Sequence, residues 1–395
     1  MIEIVFYILL GLILGIVLGL VPGIHPNMIA LLLPLIAAMN IEPINMIAFA
    51  VTLAVSNTFL DFIPSMLLGA PEPGKELTML PAHRMLVEGN GYDAVKLAVI
   101  GGLGSVILIV GAMPVIIFGV PGLYAVLKPF TYALLIFITL VIILSEDGAS
   151  GKVLAGFCFL LAGSIGVMSV RLNIDSTLLL FPILSGLFGV STLVLSKHDK
   201  IAPQKRKKEL FVTRRQRNRA VLFGSVGGIF SGMLPGVGAS EVATMASADK
   251  NEKSFIITVG AVTIANTIMA LLMIWLIGKS RSGMAVFVSQ LTSIGWNEFL
   301  LMIAVSVFTA GISAIITLKL AKKFLARMEE TNYGLINKTI IALIIFMTII
   351  FTGLAGLLLL VTCTALGVFT NLVKTRRSVL MGVLILPTIL FYLPL

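Results

Sequence analysis

The sequence predicts an all-α polytopic membrane protein with two structural repeats, and three observations lead to this fold class. First, 58% of the 395 residues are apolar and only 12% are charged, whereas soluble domains carry about 25% charged residues. Second, charge-free stretches long enough for a membrane helix of about 20 residues follow one another along almost the whole chain. Third, two Pro-Gly motifs and two Asn-Thr pairs recur at nearly constant spacing. A water-soluble enzyme of ordinary type, a disordered chain and a disulfide scaffold are thereby excluded.

The charge-free stretches define the expected membrane segments, about 10–12 in total including broken or re-entrant helices. The first is Ile4–Leu20, and a further span over Ile44–Leu68 contains a single acidic residue, Asp61. Seven further predicted crossings are Leu97–Val120, Pro129–Ser145, Val153–Val170, Thr177–Ser196, Phe255–Gly278, Phe299–Leu318 and Ser378–Leu395. Thr339–Val373 would measure about 52 Å as one helix, against a bilayer core of about 30 Å. It is therefore predicted to form two helices that turn near Gly353–Gly356.

The positive charge is concentrated in one segment of the chain. Ten Lys and Arg residues and two acidic residues lie between Lys197 and Arg219, within a net charge of +10. In a membrane protein this pattern indicates a cytoplasmic loop that obeys the positive-inside rule and that can contact anionic lipid, rather than a nucleic-acid site. The basic loops at 319–338 and 374–377 are assigned to the same side. Cys158 and Cys363 are expected to be small core residues.

An internal duplication is predicted from matched residues in the two halves of the chain. The first half carries Gly11, Gly15, Gly19, Pro22 and Gly23, and the second carries Gly224, Gly228, Gly232, Pro235 and Gly236, each 213 residues later. The pair Asn57-Thr58 recurs as Asn266-Thr267 at an offset of 209. These matches predict a first transmembrane repeat over 1–196, a basic cytoplasmic linker over 197–219 and a second repeat over 220–395. Parallel and inverted repeats both remain open, and the charge-poor N-terminus favours inverted ones.

Broken helices at matching positions of two repeats indicate the binding site of a secondary transporter. Proline and glycine free backbone groups from the helix, and such groups are tolerated at membrane depth where they line a cavity. The predicted substrate-binding residues are Pro22, Gly23, His25, Asn27, Asn57, Thr58, Pro235, Gly236, Gly238, Ser240, Asn266 and Thr267. Asp61 and Glu241 are the candidates for the coupling ion, because an ionisable residue at membrane depth is a functional hypothesis by default.

Each of these residues also has a plain structural interpretation. The Gly11–Gly15–Gly19 face predicts close helix packing, and the Asn and Thr side chains could simply hydrogen-bond a neighbouring helix. His25 could be a packed core histidine, and Asn27 or Ser240 could cap the helix that follows. Lys279 and Arg281 are either ordinary loop charges or groups that neutralise an anion.

At these motifs the sequence resembles the large permease subunit, TctA, of the tripartite tricarboxylate transporters. The resemblance rests on Gly19-Leu-Val-Pro-Gly23-Ile-His25-Pro, on Gly232-Met-Leu-Pro-Gly236-Val-Gly238-Ala and on Ile63-Pro-Ser-Met-Leu-Leu-Gly-Ala-Pro71-Glu-Pro73-Gly74. It implies carboxylate uptake together with a small membrane subunit and an extracytoplasmic binding protein. The chain departs from the family pattern at His25-Pro26-Asn27 and at Lys279–Gly283.

The function predicted from these features is an ion-coupled secondary transporter of an organic anion, with a carboxylate as the expected substrate. It is expected to work by alternating access in the prokaryotic cytoplasmic membrane. Coupling to Na⁺ or H⁺ is expected because no nucleotide-binding G-x-x-x-x-G-K-[ST] motif occurs. The alternative is a lipid-phosphate or polyprenyl-phosphate translocase. An enzyme is not predicted, since the three histidines are far apart in sequence. No cofactor is predicted, Na⁺ is the one metal ion considered, and membrane lipid and a second copy of the chain in a homo-oligomer are the further partners.

Overall fold

The structure is a computed structural model. It describes residues 2–20, 41–67, 79–172, 174, 176–195, 212–233, 242, 251–280, 282–329 and 333–393. In the first half the helices are α1 (Ile2–Leu20), α2 (Pro43–Leu60), α3 (Phe62–Leu67), α4 (Met79–Val87), α5 (Gly91–Gly111), α6 (Met113–Leu127), α7 (Thr131–Leu144), α8 (Gly148–Ser169), α9 (Ser176–Leu184) and α10 (Ser191–Leu195). A 3₁₀ turn at Lys128–Phe130 joins α6 to α7, and a π-helix at Ser185–Val190 joins α9 to α10.

The second half is also built of helices, with no strand among its described residues. Its helices are α11 (Arg214–Met233), α12 (Glu252–Ile277), α13 (Gly283–Leu291), α14 (Trp296–Glu329), α15 (Tyr333–Leu372) and α16 (Gly382–Tyr392), with a 3₁₀ turn at Arg377–Met381 before α16.

Nine apolar stretches of helix within the described residues are long enough to cross a membrane. Large apolar side chains on the outside of the bundle are exposed, for example Phe118 at 85%, Ile107 at 75% and Leu354 at 72%. An apolar exterior of this kind is stable against lipid and costly against water. The predicted all-α polytopic membrane fold is confirmed, including Ile4–Leu20 as a first membrane segment.

The predicted helix boundaries are correct in some places and wrong in others. The break in Thr339–Val373 is confirmed, because Gly353 has φ 61° and ψ −153° and interrupts α15. The predicted crossing Leu97–Val120 is wrong. The chain breaks at Ala112 instead, where Pro114 begins α6, and proline is favoured in the first turn of a helix. Met113–Leu144 then forms the next span.

Two predictions near the C-terminal half also need correction. The basic segment at 319–338 is largely helical, because α14 continues to Glu329 and α15 starts at Tyr333. Lysine and arginine are good helix formers, so the charges after Leu318 extend the helix past its apolar part. The predicted crossing Ser378–Leu395 is a short apolar segment over Arg377–Tyr392 among the described residues.

Close glycine packing joins α1 to α2. A Cβ atom on Gly11, Gly15 or Gly19 would lie 2.6–2.8 Å from a carbonyl oxygen of α2, and the three oxygens belong to Phe49, Leu53 and Asn57. Each step of four residues along α1 is matched by a step of four residues in the same direction along α2. The two helices therefore run parallel. The packing interpretation of the Gly11–Gly15–Gly19 face is confirmed.

The same packing joins α11 to α12. A Cβ atom on Gly224 would lie 2.6 Å from the carbonyl oxygen of Thr258, and one on Gly228 would lie 2.7 Å from that of Val262. Gly232 continues the series next to the carbonyl oxygen of Asn266, at 3.4 Å. These two helices are therefore parallel and in steady register as well.

The helices pack around two apolar cores. The larger core is built on α2, α5, α12 and α14, and the smaller one on α8, the π-helix and α16. Every residue of α2 and α3 from Asn45 to Leu67 is buried. Cys158 and Cys363 are buried and free in the smaller core, as predicted. The buried α2 and α12 hold the Asn-Thr pairs and so position the candidate site.

Candidate functional site

The structure brings the Asn-Thr pairs of the two halves together. The Oγ1 atoms of Thr58 on α2 and Thr267 on α12 are 3.2 Å apart, within hydrogen-bond distance. Thr58 also donates to the carbonyl oxygen of Ala54, and Thr267 to that of Thr263, one turn back in each helix. A threonine hydroxyl has one hydrogen to donate, so the pair cannot satisfy all three hydrogen bonds at once.

Asn266 is held by a residue that sequence reasoning missed. The Oγ atom of Ser231 on α11 donates a hydrogen bond of 2.8 Å to Oδ1 of Asn266. Ser231 is buried, and Asn266 is half-buried. The signal that would have found Ser231 is its place in the glycine-rich face of α11, directly before Gly232. The structural interpretation of Asn266, a hydrogen bond to a neighbouring helix, therefore holds for its Oδ1 atom.

Asn57 differs from Asn266 in its hydrogen bonding. It is 1% exposed, and among the described residues neither Oδ1 nor Nδ2 has a hydrogen-bond partner. Leaving a buried polar group unsatisfied costs about 1–3 kcal/mol, and such groups in native proteins call for an explanation. A bound ligand is one such explanation at a position that the sequence already singles out.

Asp61 lies one helical turn after Asn57, at the junction of α2 and α3. It is 1% exposed, and its backbone N–H donates to the carbonyl oxygen of Asn57 at 2.9 Å. The hydroxyl of Ser65 donates to the backbone carbonyl of Asp61. Residues four apart share one face of a helix, so Asn57 and Asp61 are on the same side of α2. Asp61 is thus buried in the span predicted over Ile44–Leu68, and its role in ion coupling stays a prediction.

The remaining predicted site residues lie outside the described part of the chain. They are Pro22, Gly23, His25, Asn27, Pro235, Gly236, Gly238, Ser240, Glu241 and Arg281. Both Pro-Gly motifs nevertheless start three residues after a glycine that packs at a site asparagine. A Cβ atom on Gly19 would lie 2.7 Å from the carbonyl oxygen of Asn57, and one on Gly232 would lie 3.4 Å from that of Asn266.

Lys279 lies away from the Asn-Thr pairs, at the end of α12. Gly278 ends this helix with φ 63°, a left-handed conformation that glycine adopts readily. The Lys279 side chain is exposed and its backbone N–H caps the helix by donating to the carbonyl oxygen of Met273. The loop interpretation of Lys279 is therefore the one that the structure supports.

A second polar cluster was not found from the sequence. Arg377 is 5% exposed, and its guanidinium donates to Oδ1 of Asn371 from Nε at 3.1 Å and from Nη2 at 2.9 Å. Nη1 donates to the hydroxyl of Thr192 on α10 and to the carbonyl oxygen of Phe188 within the π-helix. Among the described residues, no carboxylate pairs with this buried cation. It ties the π-helix to the end of α15.

Within the described ranges, no group of three or more His, Cys, Asp or Glu side chains is arranged to hold a metal ion. The polar groups at the α2–α12 contact are instead amide, hydroxyl and carboxylate groups. Amide and hydroxyl donors suit a carboxylate ligand, and oxygen ligands suit a hard cation.

Comparison with known proteins gives one family and one relative. The profile of the family described as "Tripartite tricarboxylate transporter TctA family" matches residues 5–382. An uncharacterized protein of Methanocaldococcus jannaschii is 30% identical over 362 residues, which cover 88% of this chain and 89% of the relative. No solved structure is significantly similar to the chain.

Proposed function

The chain belongs to the tripartite tricarboxylate transporter TctA family, a family of membrane transporters and not of enzymes, and from this premise we propose that it is an ion-coupled secondary transporter of an organic anion. The substrate is a carboxylate, and the substrate site lies where α2 meets α12. The observation that carries this proposal is the contact between Thr58 and Thr267, next to the buried and unpartnered amide of Asn57.

Several features of the described helices support the proposed duplication, with repeats over 1–196 and 220–395. In each half, three glycines at four-residue spacing pack against carbonyl oxygens of the helix that carries the Asn-Thr pair. Cross-contacts between the halves are also reciprocal. Helix α5 of the first half packs on α12 of the second half, and α14 of the second half packs on α2 of the first half. With an offset of 209, α5 corresponds to α14 and α2 to α12.

Transport in this proposal follows the alternating-access scheme of duplicated transporters, with one set of elements moving against the other around the site. The two Pro-Gly motifs, at Pro22-Gly23 and Pro235-Gly236, supply backbone N–H groups to the anion, and His25, Asn27, Gly238 and Ser240 belong to the same lining. These groups follow helices that end beside the asparagines at Leu20 and Met233.

Coupling to Na⁺ or H⁺ is assigned to Asp61, with Glu241 as the second candidate. Asp61 is the acidic residue of the α2 face that carries Asn57, and it is buried. A buried carboxylate would repel an anionic substrate unless it is neutralised, and a bound Na⁺ or an added proton does that. Occupation of the anion site and of the cation site is thereby linked through charge.

The tripartite organisation of the family supports two protein partners, a small membrane subunit and an extracytoplasmic binding protein. Whether uptake by this chain needs them is decided by reconstituting it alone and with partners encoded in the same genome.

The test is uptake of di- and tricarboxylates into proteoliposomes under imposed Na⁺ or H⁺ gradients. Gradient-dependent uptake of a carboxylate is expected, and Asp61→Asn should uncouple uptake from the gradient while citrate still binds. Asp147→Asn is the matched control, because Asp147 is exposed before α8. Movement of a cation or an uncharged solute, or uptake that ignores every gradient, would contradict the proposal.

A further inference from the structure

The two site asparagines occupy corresponding positions but have different environments. Asn57 and Asn266 are 209 residues apart, each next to a glycine of the neighbouring helix. Asn266 accepts a hydrogen bond from Ser231, whereas neither polar atom of Asn57 has a partner. A duplicated site would be expected to treat its two amides alike, so the difference needs a physical reason.

The reason lies one position before the glycine that packs at each asparagine. Ser231 precedes Gly232 on α11, and its counterpart 213 residues earlier is Leu18, which precedes Gly19 on α1. Because α1 packs on α2 in the same register as α11 packs on α12, Leu18 takes the place of Ser231. Leucine has no hydrogen-bonding group, and it therefore cannot hold the amide of Asn57.

Other replacements between the halves go in the same direction. At the offset of 209, Asp61 corresponds to Ala270, and Ser56 corresponds to Ala265. All four positions are buried. At these two positions α2 carries a carboxyl or hydroxyl group and α12 carries alanine, so the buried carboxyl group beside the asparagine has no counterpart on α12.

We propose that the site is functionally asymmetric, with Asn57 as the amide that contacts the substrate and Asn266 as a positioning residue locked by Ser231. This inference rests on the proposed function and deepens it. Nδ2 of Asn57 donates to a carboxylate oxygen of the bound anion, which supplies the partner that the ligand-free protein lacks. The cost of the unsatisfied amide is recovered on binding, and it favours the loaded site over the empty one.

The test uses purified full-length protein, citrate as the probe, and two readouts: citrate affinity by calorimetry and melting temperature without ligand. Asn57→Ala should weaken citrate binding about tenfold or more, since a hydrogen bond to a charged group is lost. Its melting temperature should stay the same or rise, because a buried unsatisfied group disappears. Asn266→Ala should lower the melting temperature, with a smaller loss of affinity than Asn57→Ala.

Leu18 and Ser231 offer a matched pair of variants. Leu18→Ser should give Asn57 the partner that Asn266 has, which raises the melting temperature and weakens citrate binding. Ser231→Ala should lower the melting temperature and weaken citrate binding no more than Asn266→Ala does, because it acts only through Asn266. Equal loss of affinity in Asn57→Ala and Asn266→Ala would overturn the inference, and so would a Leu18→Ser variant with wild-type affinity.

The two proposals fail in different ways. If neither citrate nor any other carboxylate binds the wild type, the proposed function is wrong. The ligand-free melting temperatures still decide the asymmetry in that case. An Asn57→Ala variant less stable than Asn266→Ala would mean that the amide of Asn57 is a structural group, and it would overturn the inference independently of any substrate.

Discussion

Oγ1 of Thr58 and Oγ1 of Thr267 are 3.2 Å apart, and these two threonines are themselves equivalent residues of the proposed repeats, 209 positions apart in the chain. A residue can touch its own equivalent only where the axis that relates the two repeats passes between them. The proposed duplication therefore requires a pseudo-twofold axis at the α2–α12 crossing. Asn57 and Asn266 each precede one of these threonines, so the candidate site surrounds this axis.

A cysteine pair at these positions tests the contact directly. With Cys158 and Cys363 replaced by alanine, Thr58→Cys and Thr267→Cys should form a disulfide under mild oxidation, because a shift of about 1 Å brings the two sulfur atoms to bonding distance. A protease site inserted between 197 and 211 then allows the readout. After cleavage the two halves should stay linked without reductant on a denaturing gel, and separate with it.

The control for this experiment replaces Thr263 instead of Thr267. Thr263 lies one turn earlier on α12, about 6 Å away along the helix axis. The Thr58→Cys and Thr263→Cys pair should cross-link far more slowly. Halves that separate equally in both variants would contradict the geometry of the α2–α12 crossing.

Sequence reasoning succeeded where a local pattern has one physical meaning. Glycines spaced by four predict close helix contact, and a charge-free stretch too long for the bilayer predicts the break at Gly353. It failed where charge was used as a boundary. Lys128 lies inside a continuous span over Met113–Leu144, and the lysines after Leu318 extend α14, because a long charged side chain can reach the interface from within a helix.

The candidate site was predictable only as a set of positions. The matched Asn-Thr pairs and the acidic residue at 61 can be found in the sequence, and their role in a substrate site stays a prediction. The roles of Ser231 and Arg377 do not. A serine in a glycine-rich helix and an arginine in a basic loop are ordinary in sequence, and only the packing of distant helices shows which amide is held and which cation is buried.

The crossing of α5 and α12 should tolerate no side chain at its two glycines. A Cβ atom on Gly101 would lie 2.0 Å from the carbonyl oxygen of Ile257, and one on Gly260 would lie 2.2 Å from that of Ala98. Gly101→Ala and Gly260→Ala should each reduce stability by about 1–3 kcal/mol, the usual cost of overpacking. Thermal unfolding in detergent measures this loss. The control is Gly111→Ala in α5, where no described atom lies within 4 Å of the added Cβ atom. This variant should be as stable as the wild type or more stable.

The kink in α15 should depend on glycine at 353. Its φ of 61° and ψ of −153° lie in a region that is essentially restricted to glycine, and other residues there cost about 1–3 kcal/mol. Gly353→Ala should therefore lower the melting temperature, even though no atom lies within 4 Å of the added Cβ. Gly311→Ala has equal space in a regular part of α14 and serves as the control. A Gly353→Ala variant as stable as Gly311→Ala would mean that the kink is not a fixed feature.

Arg377 should be far more important to stability than its neighbour Arg376. The guanidinium of Arg377 is buried and supplies charged hydrogen bonds to Asn371, Thr192 and Phe188, and hydrogen bonds to charged groups contribute about 1.5–3 kcal/mol each. Arg377→Met fills similar space but leaves those acceptors unsatisfied. The free energy of unfolding should therefore fall by about 3–5 kcal/mol, as when a buried charged network is broken.

Arg377→Lys separates charge from geometry in this cluster. Lysine keeps the charge but lacks the planar fork that reaches both Asn371 and the π-helix, so its stability should lie between those of Arg377→Met and the wild type. Arg376→Gln is the matched control. Its side chain is 51% exposed and lies 3.9 Å from the largely buried carboxylate of Glu146, and an ion pair with one partner exposed to solvent contributes about 1 kcal/mol. Thermal unfolding of the four proteins gives the order. If Arg377→Met unfolds at the same temperature as Arg376→Gln, the hydrogen bonds of Arg377 do not stabilise the smaller core.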